Sequence, residues 1–226
     1  MKTNYSLAAA VMGGVVRRLR NLDGLGINSC SALLLGLSIC LGSVSGFSQS
    51  SPDSTIKDDL AKQSSDIHWP AGFSPDGAAL FAHNSIFIKA PSATVWRHLV
   101  EAQKWPTWYP NSQDVKIAND RSGSLQQDSI FEWSTFGLPI TSIVHEFVPE
   151  RRVGWFGKGR GLDAVFYHTW YLVPTSDGCQ MITEEVVQGS GAITFREKDP
   201  SGLHRSHEVW LNNLKQLSEN DAKSSS

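Results

Sequence analysis

The chain opens with a basic stretch containing Lys2, Arg17, Arg18 and Arg20, and an apolar run follows from Ala32 to Leu41. Small residues come next, Gly42-Ser43-Val44-Ser45-Gly46. Basic, apolar, small is the order of a secretory signal peptide. The apolar run is shorter than the ~20 residues that a bilayer-spanning helix needs. Residues 1–46 are therefore expected to be a signal peptide cleaved after Gly46, with Met12 as an alternative start. An uncleaved anchor and lipidation at Cys40 are the weaker alternatives, since Ile39 is large for the position before a lipidated cysteine. Arg17-Arg18 fits a twin-arginine signal poorly.

Residues 47–79 are rich in Ser and Asp and poor in apolar positions, which predicts a solvated linker. The end of the chain, 220–226, has the same character and is expected to be a disordered tail. One domain is expected between them, over 80–219.

Within that domain the period of the apolar positions changes twice. Ser85-Ile86-Phe87-Ile88-Lys89 is short, β-branched and aromatic, and predicts a strand. Val95, Trp96, Leu99 and Val100 recur three and four apart, a helical stripe opened by Pro91 or Ser92. Pro106 and Pro110 then hold Trp105 and Trp108 in a turn-rich stretch. From 113 onward the period is two. Strands are predicted at 114–117, 129–134, 140–148, 152–156, 163–173 and 180–188, with Asp177-Gly178 a strong hairpin signal. Short connections favour an antiparallel meander. At the end, Leu203, His207, Trp210, Leu214 and Leu217 fall on one face of a long helix. A sheet with a helix across one face is an α+β layout.

Charge and composition narrow the function. The chain has 20 basic and 22 acidic residues; the first 46 hold four and one of these, so the remainder carries about −5. No basic field for nucleic acid is expected. All eight Trp lie after residue 46, and so does Cys179, the sole cysteine of the exported form. No internal disulfide is then possible, and Cys179 reads as a small buried hydrophobe.

The order of these elements, and the residues in them, resemble the START-like (SRPBCC) superfamily, in its polyketide cyclase/dehydrase and lipid-transport branch. The residues that carry it are Ile86-Phe87-Ile88-Lys89-Ala90-Pro91, Val95-Trp96, and Trp105-Pro106-Thr107-Trp108-Tyr109-Pro110. Val148-Pro149-Glu150-Arg151-Arg152-Val153-Gly154-Trp155 and His168-Thr169-Trp170-Tyr171-Leu172-Val173-Pro174 continue it, so the resemblance covers about 83–218. It implies a helix-grip fold: a curved antiparallel sheet of six to seven strands wrapped on the C-terminal helix, with an apolar cavity between them. It also implies a hydrophobic small molecule as partner, such as a lipid, polyketide or aromatic compound. The motifs mark the fold, so no catalytic residue carries over, and a signal peptide departs from a mostly intracellular family.

Against that expectation the aromatic residues are the informative set. Trp133, Trp155 and Trp170 come from three strand regions of a sheet expected to line the cavity, and Trp210 faces them from the helix. Trp96, Trp105 and Trp108 read as structural. Strand alternation puts His168, Trp170 and Leu172 on one face, so His168 is the candidate acid/base; His145 is a second strand histidine that could reach the ligand. Glu184 and Glu185 point to opposite faces, so at least one is expected in solvent. His204-x-x-His207-Glu208 has no third ligand near it in sequence, and neither a metal nor another cofactor is expected. Gly157-Lys158-Gly159-Arg160-Gly161 lies between strands and suits a flexible lip rather than a phosphate cradle. No Gly-x-Ser-x-Gly occurs. The expected function is an exported binding or carrier protein for a hydrophobic small molecule, with no membrane span after processing. The alternative is a cyclase, dehydratase or hydrolase using the same cavity.

Overall fold

A computed structural model describes residues 52–118 and 122–224. The expected signal peptide, 1–46, lies outside the described residues. Seven strands form one antiparallel sheet: β1 (Leu80–Ile88), β2 (Gln113–Ile117), β3 (Ile130–Thr135), β4 (Leu138–Val148), β5 (Arg152–Gly159), β6 (Val165–Thr175) and β7 (Gly178–Gln188). Their order is β1-β7-β6-β5-β4-β3-β2, a meander from β2 to β7 closed by the first strand. Helix α1 spans Pro52–Lys62, α2 Ser92–Val100, α3 Ser190–Lys198 and α4 Gly202–Ser224, and a 3-10 turn covers Ala102–Thr107.

Two-residue periodicity gives the sheet two faces. On β6, Phe166, Trp170 and Leu172 face the main core with α4, while Tyr167 joins a second cluster behind the sheet. Gly157 of β5 sits under the ring of Phe166, where a Cβ would collide with it. Helix α4, about 34 Å long at 1.5 Å per residue, lays Leu203, His207, Trp210, Leu211 and Leu214 into the inner face. Trp105 donates from Nε1 to the Leu99 carbonyl at 2.9 Å, tying the 3-10 turn to the end of α2.

The structure departs from the sequence reading at both ends of the domain. Within 47–79, expected as a solvated linker, lie α1 and a strap that covers the outer face of the sheet. Phe73 is buried against Phe81, Ile143, Phe156, Tyr167 and Val186, with Leu60 and Trp69 packed beside it. Few apolar residues suffice because each is large and correctly spaced; full burial of one such side chain contributes about 1.5–3 kcal/mol. Backbone contacts fix the strap: Ser64 N donates to Glu184 Oε1 (2.6 Å), and Gln188 Nε2 donates to the Gly72 carbonyl (2.8 Å). This cover also buries Glu184, so Glu184 and Glu185 are both out of solvent, on opposite faces. At the other end α4 continues to Ser224 through most of the expected tail. Arg97 and His98 of α2 hold Asp221 there.

Candidate functional site

Five indoles fill the interior at the α2 end. Trp210 packs edge-on against Trp105 (5.1 Å between centroids) and Trp170 (4.9 Å), and stacks on Tyr109 at 4.3 Å. Trp155 and Trp170 are fully buried in this cluster. Trp133 donates from Nε1 to Ser142 Oγ at 3.0 Å. Quadrupole-matched edge contacts of this kind add about 0.5–1.5 kcal/mol each beyond area burial.

The space that remains is a cavity of about 90 Å³ between α4, α3 and the sheet. Its walls are apolar, from residues such as Leu80, Ile140, Leu162, Phe166 and Leu203. The β5–β6 hairpin contributes Gly159 and Leu162, so the glycine-rich lip does border the cavity. Phe136, at the β3–β4 turn, meets Phe195 of α3 edge-on at 5.0 Å across the mouth. Both are cavity residues.

One end of the cavity is polar. Cross-strand register places His168 of β6 directly opposite Glu185 of β7, and α4 presents His207 to the same point. Glu185 Oε2 lies 3.3 Å from His168 Nδ1 and 3.1 Å from His207 Nε2. The two imidazoles are nearly parallel, 18° apart with centroids at 4.6 Å. His168 Nε2 is 2.8 Å from Thr183 Oγ1, which donates onward to the Thr169 carbonyl at 3.1 Å. That hydroxyl proton is committed, so Thr183 accepts from His168 Nε2–H, and Nδ1 is left with its lone pair. His207 Nδ1 has no hydrogen-bond partner among the described residues. Tyr109 OH and Ser206 Oγ, hydrogen-bonded to each other and both served by Asn111 Nδ2, border the cavity beside this group.

Burial is the main electrostatic force here. It holds the His168 imidazole well below its ordinary pKa, with the neighbouring His207 acting in the same direction. It also raises Tyr109, against the hydrogen bonds from Ser206 and Asn111. Cys179 is buried and its thiol is pushed up to about 11 by desolvation.

Of the residues selected from sequence, Trp133, His168 and Trp210 line the cavity. Trp155 and Trp170 stand behind it in the packed aromatic cluster, in contact with His168. His145 lies exposed on the opposite face, its ring 4.8 Å from Phe156. A bulge between Val144 and Glu146 shifts the register beside it. Glu185, His207 and Tyr109 were not selected. Alternation alone makes Glu185 an inward residue like His168, but its partner across the ladder is set by pairing.

A second polar cluster lies where α1 meets β1 and α4. His204 Nδ1 is 3.0 Å from both carboxylate oxygens of the buried Asp59, and its Nε2 is 3.3 Å from Asn84 Nδ2. His83 Nδ1 pairs with Glu184 Oε1 at 2.7 Å. The two histidines three apart on α4 thus serve different sites. No described helix is long and apolar enough to cross a membrane.

Residues 82–219 match the family described as polyketide cyclase / dehydrase and lipid transport. A crystal structure of a hypothetical protein from Helicobacter pylori is similar, with TM-score 0.63 and 24% identity over 70% of this chain and 98% of that one. The di-domain ARO/CYC protein StfQ, from the steffimycin biosynthetic pathway, is similar at TM-score 0.53 and 14% identity, over 64% of this chain and 52% of its own. Identities this low speak for the fold alone. No curated protein sequence matches. The family match spans well over half of the chain, so this protein belongs to the polyketide cyclase / dehydrase and lipid transport family, in its helix-grip fold.

Proposed function

We propose that the domain binds a hydrophobic small molecule bearing one polar oxygen or nitrogen group, and carries it outside the cytoplasm. The observation that supports this is the asymmetry of the cavity: apolar walls lead to a single polar end made by Glu185, His168 and His207. An apolar pocket with a few convergent polar groups is the usual form of a small-molecule site. The apolar body would lie against Phe166, Leu203 and Trp133. The polar group would satisfy the hydrogen-bonding capacity left on His207. At about 90 Å³ the cavity admits only a few water-sized groups. A ring-sized ligand would enter past Phe136 and Phe195, which border the cavity together.

Native mass spectrometry of the gently purified protein tests the reading. A co-purifying mass, or a stoichiometric shift with one class in a panel of lipids and aromatic compounds, is expected. An empty protein that shifts with none of them sinks it. Export rests on the order of the first 46 residues and predicts a mature N-terminus at Phe47. N-terminal sequencing of the protein from culture fractions checks that separately.

A second reading, an enzyme acting in this cavity, is favoured by one observation. His168, Glu185 and His207 sit together at the cavity wall, and an isolated core histidine would need no such company. It predicts that His168→Ala abolishes turnover of a carbonyl-bearing substrate while the domain stays folded.

A further inference from the structure

We propose that His168, Glu185 and His207 form a binding site for a divalent transition-metal ion of the zinc class, with an open coordination position facing the cavity. The three donors come from three different elements, β6, β7 and α4, and their ligand atoms all lie within 4.8 Å of one another. Each of the three residues is buried, and each borders the cavity.

The two separations from Glu185 suit such an ion as they stand, while the two imidazole nitrogens, within 4.8 Å of each other, must draw together. Bonds of about 2.0–2.1 Å in a tetrahedral shell place neighbouring ligand atoms about 3.3 Å apart. Glu185 Oε2 stands 3.3 Å from His168 Nδ1 and 3.1 Å from His207 Nε2.

The hydrogen-bond inventory points the same way. Thr183 accepts from His168 Nε2–H because its own proton goes to the Thr169 carbonyl. His168 Nδ1 therefore turns a lone pair toward Glu185 Oε2, an oxygen whose one hydrogen bond among the described residues is to His207 Nε2. The two acceptors facing each other repel unless something positive lies between them. A cation there converts the repulsion into two bonds. The relay from Nε2 through a hydroxyl to a backbone carbonyl also does what outer-shell partners of ligating histidines do: it fixes the tautomer and the ring orientation.

Two near-parallel rings do not both aim at one point as they stand. One must turn about its Cβ–Cγ bond to complete the shell. His168 is tied through Thr183 on the nitrogen away from Glu185. Among the described residues the one tie of His207 is its Nε2 bond to Glu185, and its Nδ1 has no partner. His207 is therefore the ring that turns, with the Glu185 oxygen as pivot.

A set of two imidazoles and one carboxylate suits Zn, Fe, Co or Mn better than Ca or Mg, which favour oxygen alone. Three protein ligands leave a position for an outside group. That position faces the cavity, so the ligand class is a hydrophobic compound with a carboxylate, hydroxyl or carbonyl oxygen.

The test is a Co2+ titration of the chelator-treated wild-type protein, read by visible absorption, with no organic compound present. Its outcome is thus independent of whether the cavity takes a hydrophobic ligand. One equivalent should bind with the intense bands of a four- or five-coordinate ion and be displaced by Zn2+. Glu185→Gln and His207→Ala should each weaken binding at least about 100-fold, and Thr183→Val about 10-fold, in the range that loss of an outer-shell partner costs. His204→Ala, on the same helix but in the other polar cluster, should leave it unchanged. Absence of the bands in the wild type overturns the proposal, and would leave a shared proton as what joins Glu185 to His168. Bands that survive Glu185→Gln, or that vanish in His204→Ala, overturn it as well. Should the variants fail to fold, pulsed EPR of the Cu2+-loaded wild type decides: two coupled imidazole nitrogens are required.

Discussion

His168 and Glu185 face each other across the β6–β7 ladder, and the Thr183 hydroxyl holds the far nitrogen of that histidine at 2.8 Å. The polar end of the cavity depends on this arrangement, because a buried ring with one nitrogen tied cannot swing away. Removing the hydroxyl leaves a buried N–H without a partner. Thr183→Val should therefore lower the unfolding free energy by about 1–3 kcal/mol, while Thr183→Ser should retain most of it. Urea unfolding followed by tryptophan fluorescence measures the difference. Equal stability of wild type and Thr183→Val would mean that the hydroxyl contributes nothing to the site.

Trp210 sits between Tyr109, Trp105, Trp133 and Trp170. Its truncation to Ala should cost about 3–5 kcal/mol through lost burial and the cavity left behind. Trp210→Phe should cost less, since a ring still fills part of the space. A void open to the existing cavity should also let larger aromatic compounds bind to Trp210→Ala, which a fluorescent-probe titration detects. Unchanged probe affinity would argue that neighbouring rings collapse into the gap.

Phe136 occupies an unusual position. It adopts φ +51° and is followed by Gly137 at φ +71°, the two-residue turn between β3 and β4. Left-handed backbone at both central positions favours Asn-Gly, and a bulky aromatic there carries strain. Strain of that kind is often retained where a side chain has a task, and here the ring borders the cavity and packs on Phe195. Phe136→Asn should leave the fold as stable as the wild type or more so, and accelerate ligand uptake and release. Stopped-flow binding of a hydrophobic probe reads both rates. Rates unchanged within twofold would show that the mouth is not the barrier.

The strap over the outer face predicts the outcome of truncation. A chain starting at residue 80 would expose Phe81, Phe156, Tyr167 and Val186, a contiguous apolar patch of the sort that drives association. It should aggregate or bind a hydrophobic dye strongly, whereas a chain starting at residue 52 should not. Size-exclusion chromatography distinguishes the two. A soluble monomer lacking the strap would show that the outer cluster is dispensable.

The contact of α1 with α4 should weaken as pH rises. Hydrogen bonding to Asp59 raises the pKa of His204 above its ordinary value, with Asp59 and Glu208 charges adding to this and burial opposing it. A histidine raised on folding contributes fully below its unfolded value of about 6.5. The contribution is lost as pH climbs through the folded value. Lys62, His83, Asn84 and Glu208 also border this point. Amide exchange in α1, corrected for intrinsic rates, should speed up between pH 6 and 8.5, and Asp59→Asn should abolish the trend. A trend that persists in Asp59→Asn assigns it elsewhere.

Much of this protein is legible in its sequence because the relevant signals are local. Period two in β6 already separates Phe166, His168 and Trp170 from Tyr167 and Thr169, and the stripe Leu203, His207, Trp210, Leu214 already marks the buried face of α4. Those patterns arise from the pleat of a strand and the turn of a helix, and they reach the fold without further help. What one residue meets across a ladder, or what covers the back of a sheet, depends on chain segments about 15 to 120 positions apart in these contacts. That is why Glu184 is buried rather than solvated, why a Ser- and Asp-rich stretch forms a strap, and why Trp155 and Trp170 fill space instead of lining it. His168, Glu185 and His207 each carry an inward-facing signal in their own element. Only strand pairing and the docking of α4 bring them to one point, because the closing of those distances is decided by burial of the aromatic core between the sheet and the helix.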